Sequence, residues 1–479
     1  MAEPNPRVAD SIPAVAGATL SETAPAVAVS PDSAGAPERA YAFRTEAYAW
    51  WAVAVLCFAG IVSGMDRQII SLLVEPIKRD LGLSDVAISL LQGAAFALFH
   101  SLAAVPLGRL ADVSNRRLII VGGVLTWTLA CIGSGLAGGF LALFLMRMLI
   151  GAGEATLSPA GYSMLADYFP REQLGRAISL FLGSGFVGSG LALIVGGAIM
   201  DQLSATESVS YPLLGELRPW QAAFVLVALP GFLVIALLLT VREPPRSSFG
   251  SLAAAAEAAR APPFGDVIRF VVAERRTIGT IYAGFALLAA MQFGLGSWVP
   301  AFFMRTHGWT AAEIGYAYGL NYVIVGTLGV LVGGAVCDWL ARRGYADANL
   351  RVGLIAACCA LPLVIAFPLV PDGRLAFALL VPATFFGTMP FGAGTAALPL
   401  LAPNRMRAQV VALYLLVAII VGQGVGPFYT AALTDYAFAD PAKLRYSIAI
   451  AAGSLLAGAI AIIASGLPHV AASLARARR

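Results

Sequence analysis

The sequence is short of charge. Asp, Glu, Lys and Arg make up 12% of its 479 residues, whereas soluble domains carry about 25%. With a mean hydropathy of +0.81, that deficit excludes an ordinary soluble protein and points to an all-α polytopic membrane protein. Metal ligands are also scarce. The three histidines (His100, His307, His469) are far apart, and the five cysteines (Cys57, Cys131, Cys337, Cys358, Cys359) sit in apolar runs without ligand spacing. They read as small buried hydrophobes, so no metal site and no cofactor is expected. No Gly-x-x-x-x-Gly-Lys-Ser/Thr loop is present, which disfavours ATP-driven pumping. No Ser-His-Asp set or Cys-His cluster offers a nucleophile with a positioned base, so an intramembrane lipid-modifying enzyme is disfavoured and the chain is not expected to be an enzyme. The net charge of +4 predicts no nucleic-acid partner, because the basic residues follow the membrane.

What the chain has in abundance is long apolar runs. Residues 1–44, rich in Ala, Pro, Ser and Val, read as a disordered tail without a basic start that would mark a cleaved signal. Twelve spans then fit a hydrocarbon core about 30 Å thick: 48–76, 84–109, 117–138, 140–167, 173–201, 219–241, 276–304, 311–340, 350–370, 374–402, 407–434 and 443–466. The expected organisation is a first half at 45–241, a linker at 242–275, a second half at 276–466 and a basic tail at 467–479. With both termini inside, 22 Lys and Arg fall in cytoplasmic segments and 7 in outer loops. That bias predicts a multi-pass protein of the inner (plasma) membrane with cytoplasmic termini; a monomer is expected.

Four charges lie inside the apolar runs. Asp66 and Arg67 interrupt Trp50–Val74, and Arg147 and Glu154 interrupt Phe140–Leu165. Each costs about 2.5–3.5 kcal/mol at the centre of an inserted helix, so the chain has a use for them or pairs them structurally. Seven residues separate Arg147 from Glu154, which puts both on one helix face. Counting rise along the two spans brings Asp66 to a height between them. Asp66 and Glu154 are therefore the candidate proton carriers. Arg67 and Arg147 are the candidate anion-binding groups, since a guanidinium keeps its proton and can grip a carboxylate or phosphate with two parallel bonds. The competing reading is a permanent ion pair that never titrates. His100 in the second span reads as a hydrogen-bonded buried histidine, Glu75 and Lys78 as a solvated pair near the outer mouth, and Asp167 as a partner of the basic loops.

A repeat sets the architecture. Gly108, Asp112, Arg116 and Arg117 follow the second span with the same spacing as Gly334, Asp338, Arg342 and Arg343 after the eighth, 226 residues later. Two six-helix pseudo-symmetric halves with a latch motif in each are the mark of a major-facilitator fold. The glycines are expected to let helices approach closely, the aspartates to accept from helix amino-terminal amides, and the arginines to sit at anionic headgroups. Glycines of the fifth span (Gly183, Gly185, Gly188, Gly190, Gly196, Gly197) and of the eleventh (Gly422, Gly424, Gly426) read as packing seams.

The stretches Met65-Asp66-Arg67-Gln68, Glu75-Pro76-Ile77-Lys78, Pro106-Leu107-Gly108-Arg109, Gly151-Ala152-Gly153-Glu154 and Ala166-Asp167-Tyr168-Phe169-Pro170 resemble Spinster-like transporters of the major facilitator superfamily, over most of the first half. The resemblance implies secondary active transport, proton-linked in bacterial members, of lysolipids in animal members. It places the family's first-helix Asp and Arg on Asp66 and Arg67, and its fourth-helix Glu on Glu154. It also implies that the first, fourth, seventh and tenth helices line the cavity. In the second half those helices offer Gln292, Phe293 and Thr388 but no mid-membrane charge. Charge on one wall and aromatic surface on the other suit an amphipathic anion, lysolipid-like or organic, moved with protons by alternating access. A carrier of small polar metabolites and a drug exporter are the alternatives.

Overall fold

The computed structural model describes residues 46–203, 208–211, 215–245, 262–403 and 405–477; the expected tail at 1–44 lies outside them. Among the described residues, twelve helical spans are long and apolar enough to cross a membrane: α1 (Glu46–Ser71), α2 (Asp85–Val113), α3 (Arg116–Gly135), α4 (Phe140–Tyr168), α5 (Glu172–Leu203), α6 (Pro219–Thr240), α7 (Arg275–His307), α8 (Ala311–Arg342), α9 (Ala348–Leu369), α10 (Gly373–Pro399), α11 (Gln409–Phe438) and α12 (Pro441–Ser473). Local chemistry sets several of the starts. Asn115 accepts from the Leu118 amide ahead of α3, Thr310 and Glu313 form a reciprocal capping box ahead of α8, and Asp372 caps Leu375 ahead of α10. An even number of crossings places residues 46 and 477 on one face, the terminal face; the other is the opposite face.

Three elements depart from the sequence expectation. A two-stranded antiparallel hairpin, β1 (Val209–Tyr211) with β2 (Gly215–Leu217), joins α5 to α6 on the opposite face. The linker contains a helix, Phe264–Ala273. The last helix continues to Ala477 instead of yielding to a tail at 467.

The halves meet along α5–α8 and α2–α11. A methyl added at Gly190 would come within 2.6 Å of the Gly319 carbonyl oxygen, and one at Gly93 within 1.8 Å of that of Gln423. Backbones this close leave no room for a side chain, which bears out the expected seam at Gly190 and adds Gly93, which the sequence reading did not name. A methyl on Gly183 or Gly424 meets nothing within 4 Å, whereas one on Gly64 of α1 would come within 2.7 Å of the Gly185 carbonyl oxygen, so α5 has a second seam against α1.

Three helix irregularities lie beside the buried charges of the first half; π-turns also interrupt α7, α8 and α11. Directly after Arg67 and Gln68, α1 tightens into a 3₁₀ turn at Ile69–Ser71. A π-turn occupies Leu90–Ala94 of α2. The helix of α4 breaks between Glu154 and Leu157. Pro159 has no amide to give the Ala155 carbonyl four residues back, and the Thr156 hydroxyl takes the Gly153 carbonyl at 2.8 Å.

Candidate functional site

Glu154 sits at the last residue before the α4 break, and its carboxylate is aimed at α1. Its Oε2 accepts from Ser63 Oγ at 2.6 Å and from Arg67 Nη2 at 2.7 Å. Arg67 Nη2 also reaches Ser63 Oγ at 3.2 Å. Ser63 and Arg67 are four residues apart on one face of α1, so the serine belongs to the site by helix geometry alone. The two partners differ in access: the Glu154 side chain is 1% exposed and that of Arg67 36%. The Arg67 guanidinium lies 4.8 Å from the centroid of the buried Phe96 ring, and His100 stacks against Phe96 with centroids 5.2 Å apart. Arg67, Phe96 and His100 thus form a column along the α1–α2 boundary. Glu154 Oε1, Arg67 Nε and His100 Nδ1 are buried without a hydrogen-bond partner among the described residues. The site therefore holds unused donors and acceptors.

Arg147 corrects the sequence reading. It is fully buried, and its guanidinium addresses backbone: Nε donates to the Leu91 carbonyl at 3.1 Å, Nη1 to that of Asp66 at 3.0 Å and Nη2 to that of Arg67 at 3.4 Å. The carbonyls of Asp66 and Arg67 belong to the last turn of an α-helical segment, where oxygens lack an α-helical partner and a cation is favoured. Leu91 lies in the π-turn of α2, another place where the ladder is disturbed. Arg147 therefore ties three helices together through their irregular turns and is removed from the substrate-facing set. The expected meeting of Asp66 with Arg147 happens through the Asp66 backbone.

The Asp66 carboxyl points the other way. It is fully buried, Oδ1 accepts from Cys131 Sγ of α3 at 3.5 Å, and Oδ2 has no partner among the described residues. Asp66 and Glu154 are thus on different sides of α1, one sealed toward α3 and the other toward the junction with α4.

In the second half, Gln292 and Phe293 are half-buried on α7. Gln292 Nε2 donates to the Tyr322 hydroxyl at 3.1 Å. Thr388 is a second correction: it is 1% exposed, its hydroxyl is spent on the carbonyls of Thr384 and Phe385, and it packs against Gly329 of α8. Asn321 Nδ2 donates to Thr384 Oγ1 at 2.8 Å. Uncharged hydrogen bonds thus occupy the middle of this half.

On the opposite face, Asp85 is fully buried and bound bidentately by Arg305 of α7, Oδ2 to Nη1 at 2.7 Å and Oδ1 to Nη2 at 2.8 Å. Arg305 Nε donates to Glu75 at 2.6 Å, and Lys78 pairs with Asp85. Glu75 and Lys78 are therefore members of an inter-half ion network and not a solvated pair. The Val86 amide donates to Asp435 at 2.7 Å, Gln68 to the Gly296 carbonyl at 2.8 Å and Gln92 to the Ser297 carbonyl at 3.2 Å. Among the described residues, these bonds joining the halves all lie in the portion of the spans nearer the opposite face. The structure is locked on that side.

The latch motifs lie at the terminal face and are unlike each other. Arg116 is 1% exposed and donates to Glu243 at 2.6 Å, Asp167 at 2.5 Å, the Ser163 side chain at 2.9 Å and the Pro244 carbonyl at 3.0 Å. The Arg117 amide donates to Glu243 at 3.0 Å. This pair binds α3 to the end of α4 and the start of the linker, not to headgroups. Arg342 and Arg343 are exposed, with Arg343 4.0 Å from the Trp339 ring. Asp112 and Asp338 are both exposed. Gly334 meets nothing within 4 Å and Gly108 only Pro159 at 4.0 Å, so the expected close approach is absent in this state.

Known proteins carry the same plan. The model of the Major Facilitator Superfamily matches residues 56–427. An MFS-type efflux pump of Mycolicibacterium smegmatis is 28% identical over 393 residues, 81% of this chain and 85% of the relative. Protein spinster homolog 3 of Danio rerio is 28% identical over 422 residues, 83% of this chain and 80% of the relative. The crystal structure of a bacterial homolog to the human lysosomal transporter Spinster, in an inward-facing and unoccupied conformation, superposes with a TM-score of 0.73 at 25% identity, covering 91% of this chain and 99% of that one. A chain with twelve apolar spans, a duplicated latch motif and these relatives belongs to the major facilitator superfamily, as a Spinster-like membrane transporter.

Proposed function

We propose that this transporter couples proton movement to the passage of an amphipathic or organic anion of lysolipid-like shape. It would act by alternating access in the inner membrane, with both termini cytoplasmic. The observation that carries the reading is the Arg67–Glu154 pair at 2.7 Å, in which the carboxylate is buried and the guanidinium is partly open. Ionised Glu154 occupies Arg67. Protonated Glu154 no longer competes for it, and Arg67 then has a free fork for a carboxylate or phosphate. Proton and anion thereby bind together, so they move in the same direction. The half-buried Phe293 of α7 offers apolar surface for the rest of an amphipath. Asp66, sealed against Cys131, is the second proposed proton carrier. The lock on the opposite face corresponds to an inward-open state in this orientation. Closure of the terminal face would bring Gly108, Asp112, Gly334 and Asp338 into use as the alternating latch.

A second reading is favoured by the neutral hydrogen bonds Gln292–Tyr322 and Asn321–Thr384. They suit hydroxyls of a small polar acid.

Purified protein in liposomes, challenged with lysophospholipids, fatty acids and sugar acids under an imposed pH gradient, separates the two readings. Uptake of a lysophospholipid or fatty acid that collapses when the gradient is dissipated supports the first; gradient-driven uptake of sugar acids alone selects the second. Arg67→Ala should abolish binding of the active anion, and Arg67→Lys should weaken it by about tenfold, because the charge stays and the fork is lost. Unchanged affinity in both variants moves the anion site elsewhere.

A further inference from the structure

A cleft of about 340 Å³ opens at the terminal face between the first turn of α7 and the last turns of α12. Arg275, Arg276 and Thr277 line one side, and His469 and Ser473 line the other. Nothing in the transport reading uses it. We infer that this cleft is a binding site for the phosphate of an anionic membrane phospholipid. The inference stands independently of what the central site carries.

Position is the first argument. The membrane-spanning stretch of α7 begins at Arg275 and that of α12 ends at Ser473, so the cleft sits at the boundary of the hydrocarbon core, where headgroups lie. Charge is the second. Two adjacent arginines project from a π-turn, Arg275–Gly279, and both line the cleft. Glu274 lines it too and offsets one of them, leaving a net single positive charge on these three side chains. A phosphodiester carries one negative charge, which matches; a free phosphate ion with two does not match as well. Two hydroxyls and a histidine ring also lie in the lining. Thr277 Oγ1 and Ser473 Oγ lie 3.4 Å apart across the cleft, and His469 Nδ1 contacts the Ser465 carbonyl at 3.1 Å, leaving Nε2 as the ring's other polar atom.

An apolar surface leads into the cleft. The linker helix Phe264–Ala273 buries Val267 and packs Phe270 and Val271 against the core. Its other side exposes Phe264, Ile268 and Val272 at 56%, 43% and 57%. Four-residue spacing makes these three one stripe, which ends next to Ala273 at the cleft wall. An apolar stripe beside a cationic cleft is the arrangement of an interfacial helix, with apolar groups at the acyl boundary and arginines at headgroup level. A phospholipid seated here satisfies both surfaces at once, its diester between the arginines and its glycerol and upper chains along the stripe.

The test uses the full-length protein in detergent, exposed to an equimolar mixture of phosphatidylglycerol and phosphatidylcholine and read by native mass spectrometry. Wild-type protein should retain phosphatidylglycerol over phosphatidylcholine by about tenfold, the size of one charge-assisted contact. Arg275→Gln/Arg276→Gln should lose that excess. Arg275→Lys/Arg276→Lys should keep most of it, and so should Arg269→Gln, which removes an exposed arginine outside the cleft. Ala472→Trp, which fills the cleft without changing charge, should lose the excess while melting normally. Equal retention of the two lipids by the wild type overturns the proposal. So does an unchanged excess in the Gln/Gln and Trp variants, or complete displacement of the lipid by inorganic phosphate, which would make this a site for a soluble anion.

Discussion

The two halves share a fold and differ in chemistry. In the middle of the first half, Glu154 binds Ser63 and Arg67 while Arg147 holds three backbone carbonyls. In the middle of the second, neutral side chains bond each other, Gln292 to Tyr322 and Asn321 to Thr384. The latch motifs diverge in the same direction. The first copy buries Arg116 in a four-partner network, and the second leaves Arg342 and Arg343 exposed. The halves repeat one backbone plan, and the buried mid-span charges lie in the first. Under the proposed mechanism one wall carries the proton and anion chemistry and the other contacts the rest of the substrate.

The widest gap between the halves should appear when each loses its central donor. Arg147→Met leaves three buried carbonyls without their donor, at about 1–3 kcal/mol for each lost partner. Little folded protein should survive, read as loss of the monodisperse peak and of the melting transition. Asn321→Ala removes one neutral bond, worth about 1 kcal/mol, and should shift the melting temperature by only a few degrees. Equal damage from the two would erase the distinction.

That contrast also marks what the sequence could tell. Charges inside apolar runs identify themselves, because burial is costly whatever the fold, and so do long apolar spans and a motif repeated with fixed spacing. Ser63 was legible too, four residues from Arg67 on the same face. The direction of the Arg147 guanidinium was not. It depends on carbonyls turned out by the 3₁₀ end of α1 and the π-turn of α2, and neither irregularity has a reliable sequence mark. The α4 break after Glu154 does have one, in Pro159. The ion network at the opposite face was hidden for a different reason. Asp85 opens a helix and looks like a first-turn acid, and its partner Arg305 is 220 residues away. The linker helix and the hairpin are short, and their stability comes from what they pack against.

The latch copies give the next comparison. Arg116→Gln strands Asp167 and Glu243 and removes a nearly buried charge, a class of change that costs about 3–5 kcal/mol when burial is complete and less here, where Glu243 is partly exposed. Arg342→Gln should leave the melting temperature unchanged. Similar melting of the two variants would show that the exposed copy is held by contacts of equal weight.

A smaller effect on stability, and a larger one on conformation, is expected at the opposite face. Arg305→Gln leaves the buried Asp85 with Lys78 alone, so the closed arrangement of that face loses its main tie between the halves. Spin labels on the ends of α1 and α7 should report a second, longer distance on the opposite face that is absent in the wild type. A single unchanged distance would mean that α5–α8 and α2–α11 packing closes the protein without the ion network.

The central claim is that Glu154 and the transported anion compete for Arg67. Binding of the anion then takes up a proton, so affinity must rise as pH falls and level off once Glu154 is protonated in the free protein. The direct measurement is the affinity of the active anion, with its own charge constant over the range, as a function of pH in wild type and in Glu154→Gln on the same preparation. The account predicts a wild-type affinity that climbs toward acid pH, and a Glu154→Gln affinity that is flat and equal to the wild-type acid limit. A stable Glu154→Gln protein that keeps the wild-type pH dependence contradicts it.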